Sequence, residues 1–185
     1  MGLLIMANRG HYTNIDAIGN VIRYITRTRV NEDRENELVY YNGFGMVNYL
    51  TPAEMISQMS KVQEIYKITV RGGRRVYHEF FLISNEEFYQ LNRNMEYVKR
   101  IAAECSLVYY NMGFQVVYAI HRDKEKKLHI HFCVNTINFN TGMKWHSSHK
   151  DLHEREMIFN TILYRYMNLI IPIQFINTNR SEVCV

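Results

Sequence analysis

Two apolar runs joined by a short charged stretch constrain this chain more than any other feature. FQVVYAIH (114–121) and LHIHFCVNTI (128–137) are rich in β-branched and aromatic residues, and RDKEKK lies between them. Such runs read as strands, and the connection makes them a hairpin with a long turn. An antiparallel pair therefore anchors whatever sheet the chain builds.

The remaining segments supply helices and further strands around that pair. Residues 14–27, NIDAIGNVIRYITR, read as a helix with Asn14 as N-cap. Ile15, Ile18, Val21, Ile22 and Ile25 form its apolar stripe at helical spacing. Tyr24 lies well off the stripe centre at about 100° per residue, so it sits on the flank of the helix. Residues 28–37 are a charged loop, and LVYYNGFGM (38–46) reads as a strand or turn-rich segment. TPAE (51–54) is a strong helix start, with Thr51 as cap, Pro52 in the first turn and Glu54 closing a capping box. That helix is expected to reach about Lys67 and to bury Met55, Ile56, Met59, Val62 and Ile65. RVYHEFFLI (75–83) reads as a central strand. SNEE (84–87) opens a second capped helical region, expected to reach about Tyr109 with Met95, Val98, Ile101, Ala102 and Cys105 inward. SHKD (148–151) opens a last helix to about Ile170, and IPIQFIN (171–177) reads as a final strand. This order predicts an α+β fold with a largely antiparallel central sheet flanked by helices. At 185 residues without a Pro/Gly/Ser-rich linker, a single catalytic domain over 1–185 is expected.

Composition narrows the function classes only mildly. The net charge of +4 permits nucleic-acid binding without demanding it. Cys105, Cys133 and Cys184 are odd in number and widely spaced, which argues against a disulfide framework or a cysteine zinc knuckle and fits a reducing, cytoplasmic setting. No stretch is apolar enough for long enough to span a membrane, so membrane insertion is not expected.

The histidines carry the chemistry. His129 and His131 alternate with Ile130 and Phe132, so both imidazoles point to one face while Ile130, Phe132 and Val134 face the core. Their Cα atoms lie roughly 6.5 Å apart along a strand. His121 ends the partner strand and is a candidate third ligand. Three protein ligands leave coordination positions open, as in a catalytic metal site. Asp123 is placed to orient an imidazole or to bind the ion itself. His78 reads as a hydrogen-bonded sheet residue. His146, His149 and His153 read as solvated or DNA-facing, and the role of His11 is open.

Three segments in this order carry a resemblance: VIRYITRTR (21–29), VYHEFFLIS (76–84) and FQVVYAIHRDKEKKLHIHFCVN (114–135). The chain resembles the mobilisation relaxases of the VirD-like type, within the wider His-hydrophobic-His (HUH) endonucleases. The likeness runs roughly from His11 to the last helix. Its specific part is His121, Asp123, His129-Ile130-His131 and Asn135. Leu128 departs from it, standing where such motifs often carry a proline.

The resemblance implies a DNA relaxase: a metal-dependent, site- and strand-specific nickase that forms a covalent 5′-phosphotyrosine. Among fourteen tyrosines, it implies Tyr24 as the nucleophile, with Tyr12 in reserve. It implies that His121, His129 and His131 hold a divalent ion, magnesium or manganese. Its partners would be single-stranded origin-of-transfer DNA and accessory proteins of plasmid conjugation or mobilisation. DNA contacts are expected from Arg23, Arg27 and Arg29 beside the tyrosine and from Arg71, Arg74 and Arg75 around Gly72 and Gly73, at the entry to the central strand. A rolling-circle initiator or transposase shares the chemistry but tends to place its tyrosine after the histidine pair. A non-catalytic single-stranded nucleic-acid-binding module would show neither metal dependence nor an adduct.

Overall fold

A computed structural model describes residues 1–7, 12–28, 38–47, 50–66, 73–123 and 127–178, the last nine of these by backbone alone. Five strands form one sheet: β1 (Leu3–Met6), β2 (Leu38–Phe44), β3 (Val76–Ile83), β4 (Phe114–Arg122) and β5 (Leu128–Asn138). Their spatial order is β1-β3-β5-β4-β2, and every neighbouring pair is antiparallel. The expected hairpin is the β4–β5 pair, and β5 is the middle strand. β3 is interior, between β1 and β5. β1 was not anticipated as a strand; it is the short apolar run near the N-terminus.

Helices cover both faces. α1 (Ala17–Ile25) and α2 (Pro52–Ile65) lie on one side. There Ile18, Ile22, Ile25, Met55 and Met59 pack on Val76, Val117, Ala119 and Cys133. α3 (Asn85–Gln90), α4 (Met95–Asn111) and α5 (His149–Thr178) lie on the other. This second core is larger, with Phe81, Ile130, Phe132, Val134, Ile101, Tyr109 and Phe159 among its buried members. Ile130, Phe132 and Val134 therefore face the main core, as alternation predicted, and the histidine face carries a smaller core of its own.

Local chemistry explains the helix ends. Thr51 and Glu54 exchange the two hydrogen bonds of a capping box, as do Ser84 and Glu87. α1 starts later than expected: residues 12–16 are turns, and Asp16, not Asn14, precedes the first helical residue. Ile15 consequently falls outside the helix and is exposed. In α2 the stripe rotates, so Gln63 is buried and Ile65 is exposed. The expected long helix from Asn85 is two helices. Asn92 and Arg93 both have positive φ, and Arg93 N–H donates to the Phe88 carbonyl, which stops α3 before Asn94 caps α4. Residues 171–177 continue α5 where a strand was expected. A short apolar run reads equally as strand or helix. Among the described residues, no helix is long and apolar enough to cross a membrane.

Candidate active site and metal centre

The hairpin register assembles the histidines. His121 on β4 stands directly across from His129 on β5, and His131 is two residues further along the same face. Ring centroids lie 4.5 Å apart for His121–His131, 4.9 Å for His129–His131 and 5.4 Å for His121–His129. One ring nitrogen from each falls within 4.8 Å of the others. Three imidazoles at this spacing can close on one divalent cation and leave positions for other ligands.

Ligation needs neutral imidazole. Burial, followed by the positive charge of Arg27 and the neighbouring histidines, pushes His121 down to about 3 against the opposing effect of its bond to Ile25. Burial and then the neighbouring histidines hold His131 well below its ordinary value. His78, on β3, is lowered by burial to about 4. These three rings are therefore neutral at neutral pH.

The donor set fits a metal. His131 Nε2 is buried and meets no hydrogen-bond partner among the described residues. Its Nδ1 lies 3.0 Å from His78 Nε2, and His78 Nδ1 lies 3.3 Å from the Tyr12 hydroxyl. A buried nitrogen left unpaired costs about 1–3 kcal/mol, which an ion at that lone pair would offset. Ligation through Nε2 selects one arrangement of protons: His131 Nδ1–H donates to His78 Nε2, and His78 Nδ1–H donates to Tyr12. Such outer contacts fix the orientation of a ligating imidazole.

Tyr24 joins the same cluster. Its ring packs edge-on at 5.8 Å from His78 and 5.9 Å from His131. The helix geometry that buries Ile22 and Ile25 turns Tyr24 to a half-buried position above the histidines. The C-terminus of α1 is tied down there, because His121 Nε2–H donates to the Ile25 carbonyl at 2.6 Å.

A family model described as relaxase, MobA/VirD2-like, nuclease domain matches residues 24–167. The match covers well over half of the chain, begins at Tyr24 and includes all three histidines. The chain belongs to this relaxase family. No curated protein matches it. Membership makes the chain a relaxase nuclease domain, hence a DNA endonuclease, with a histidine triad suited to the metal on which relaxases depend.

Not every anticipated residue of the relaxase reaches this site. Asp123 stays outside the ligand group. Its Oδ1 accepts the Lys127 backbone N–H at 2.8 Å, and its own N–H donates to the Lys127 carbonyl, so it closes the hairpin turn. Arg27 lies at the centre: its guanidinium carbon is 4.9 Å from the Tyr24 ring centroid, and Nη2 donates to His121 Nδ1 at 3.0 Å. Arg23 folds back over Gly19. Arg74 stacks on Tyr12 and Tyr77, at the far end of the Tyr12–His78–His131 row. Arg75 Nη1 donates to Gln63. Arg29, Arg71 and His11 lie outside the described residues. His146, His149 and His153 are exposed, and the last two lie on α5, on the side of the sheet opposite the triad.

Three residues named from the sequence take places in this relaxase that the sequence did not reveal. His78 was expected to be hydrogen-bonded, but not to the metal-ligand candidate itself. Tyr12 is buried, and burial raises its phenol above the ordinary value, which suits a supporting role better than attack. Asn135, the last residue of the motif, lies at the heart of a buried amide network. It donates to the Met59 carbonyl and Gln115, and accepts from Gln63.

Proposed function

We propose that this relaxase nicks one strand of DNA at a transfer origin, with Tyr24 as nucleophile and His121, His129 and His131 as ligands of a magnesium or manganese ion. The observation that supports this reading is the packing of the Tyr24 ring against His131 of the triad and against His78 beside it. A tyrosine hydroxyl, with an ordinary pKa near 10, is a weak nucleophile until the phosphate is polarised. A bound divalent ion would draw charge from the phosphate oxygens and orient the phosphorus. The chain's own residues do the rest. α1 presents the phenol, His78 and Tyr12 orient His131, and the Ile25 carbonyl orients His121. In the reaction the Tyr24 oxygen bonds to phosphorus, the bond from phosphorus to the 3′ oxygen breaks, and that oxygen is protonated as a 3′ hydroxyl. The phenolic proton passes to solvent. The phosphotyrosine keeps the phosphodiester energy for rejoining, which suits plasmid mobilisation or conjugation in the cytoplasm alongside accessory transfer proteins. Residues 1–185 would act as one catalytic unit.

The test is a pool of labelled single-stranded oligonucleotides with manganese, resolved on a denaturing gel. A protein-linked band that requires manganese and vanishes in Tyr24→Phe and His131→Ala is expected. An adduct that persists in Tyr24→Phe would overturn the assignment of the nucleophile. Binding without any adduct or metal dependence would favour a non-catalytic module.

A further inference from the structure

Arg27 occupies a backbone position that favours glycine. α1 ends in a Schellman motif: Thr28 N–H donates to the Arg23 carbonyl at 3.0 Å, and Arg27 N–H approaches the Tyr24 carbonyl at 3.4 Å. The residue between Thr26 and Thr28 must be left-handed, and Arg27 has φ 55°. An L-residue with a side chain is strained in that region, and such strain concentrates at functional sites. The side chain shows what the strain accompanies. Nη1 donates to the Tyr24 carbonyl at 3.1 Å, Nη2 donates to His121 Nδ1 at 3.0 Å, and the guanidinium lies over the Tyr24 ring.

That last hydrogen bond falls on a ligand atom. His121 Nε2 must carry its proton, because a backbone carbonyl at 2.6 Å can only accept. Nδ1 is then the nitrogen with a lone pair to offer a metal, and it is the one Arg27 caps. A guanidinium and a divalent cation cannot share one lone pair, and their charges repel.

We propose that Arg27 is a displaceable cap on the metal centre. Its guanidinium holds the His121 donor in the metal-free protein, competes with the incoming ion and is released when the ion binds. This rests on the reading of the triad as a metal site. Arg27 is thus a positioning residue that sets metal affinity, and the released guanidinium remains tethered at the end of α1 beside Tyr24.

Titration calorimetry of the full chain with manganese, without DNA, tests this. Removing a charge-assisted hydrogen bond that competes for the site is expected to tighten manganese binding roughly tenfold in Arg27→Gln. Arg27→Gly suits the positive φ, so it keeps the thermal midpoint in EDTA and carries the same measurement should the glutamine variant fold poorly. Arg122→Gln removes a charge one residue from His121 whose guanidinium instead lies over Phe88. It is expected to leave the affinity unchanged. Equal or weaker manganese binding in folded Arg27 variants overturns the proposal, as does equal tightening in Arg122→Gln. His121→Ala separates the two readings. If it leaves manganese binding intact, the metal centre itself is misassigned; if it abolishes binding while the Arg27 variants match the parent, only the cap fails.

Discussion

Acid strips stability from the metal-free relaxase in a definite pH window, and the structure gives the size of the effect. His78 and His121 have folded-state values of about 4 and about 3, against an ordinary 6.5, and His131 is also well below. Each is harder to protonate folded than unfolded. Between pH 6.5 and about 4 the unfolded chain therefore binds more protons, and stability rises with pH. The contribution is complete above pH 6.5 and is lost as pH falls through the window. Each pKa unit corresponds to about 1.4 kcal/mol, so His78 alone accounts for about 3 kcal/mol and His121 for about 5 kcal/mol. By pH 5 each has given up about 1.5 of those pKa units, about 2 kcal/mol, and against a whole stability of about 5–15 kcal/mol the metal-free protein is expected to be markedly weakened there and to unfold between about pH 5 and 4. The assay is urea denaturation in EDTA at pH 7, 6 and 5. The chain's single tryptophan, Trp145, packed 4.7 Å from Tyr77, reports it by fluorescence. With two to three protons taken up on unfolding, stability should fall by about 3–4 kcal/mol per pH unit near pH 5, and His78→Phe should shallow that slope by about one proton. A urea midpoint that stays flat from pH 7 to 5, or a slope indifferent to His78→Phe, refutes the reasoning.

Three further outcomes follow from other contacts. At pH 7, His78→Phe removes the partner of His131 Nδ1 and is expected to weaken manganese binding about 10- to 100-fold while the triad itself is intact, measured by calorimetry. Asn135→Leu leaves Gln63, Gln115 and the Met59 carbonyl short of partners in a closed interior and is expected to cost about 2–4 kcal/mol in urea denaturation. Arg155→Met strands the Glu79 carboxylate, which is fully buried and held by Arg155 Nη2 at 2.7 Å and the Tyr109 hydroxyl at 2.7 Å. It is expected to cost about 3–5 kcal/mol, and Glu79→Met in the same chain to recover much of that by differential scanning fluorimetry.

The sequence was most legible where a residue's role is local. Alternation alone put His129 and His131 on the face opposite Ile130, Phe132 and Val134, and the hairpin turn brought His121 across from them. The two capping boxes were equally direct, since both partners lie within four residues. Legibility failed where a role depends on distant strands. His78 is 53 residues from His131, and only the β3–β5 pairing makes them neighbours. Asp123 looked like a candidate ligand because it follows His121 by two, yet the backbone of its own turn claims the carboxylate. The break at Asn92 and Arg93 was hidden because neither glycine nor proline marks it. Asn tolerates the left-handed region well enough to end a helix there. Arg27 offered the converse signal: a helix end without glycine.

The smaller of the two cores explains why the histidine triad and Tyr24 belong to one structural unit. β5 is covered on both faces, so its histidine side needs a helix, and α1 answers with Ile18, Ile22 and Ile25 packed on Ala119, Val117 and Cys133. Once Ile22 and Ile25 are buried, the 100° helical step leaves Tyr24 no choice but the flank above His78 and His131. The Ile25 carbonyl then orients His121, and the helix end places Arg27 on that same ring. The orientation of His121, the placement of Tyr24 and the contact of Arg27 with His121 thus follow from one packing decision. A substitution that loosens α1, such as Ile22→Ala, disturbs all three together, whereas one at Phe159, on the opposite side of the sheet, touches none of them directly.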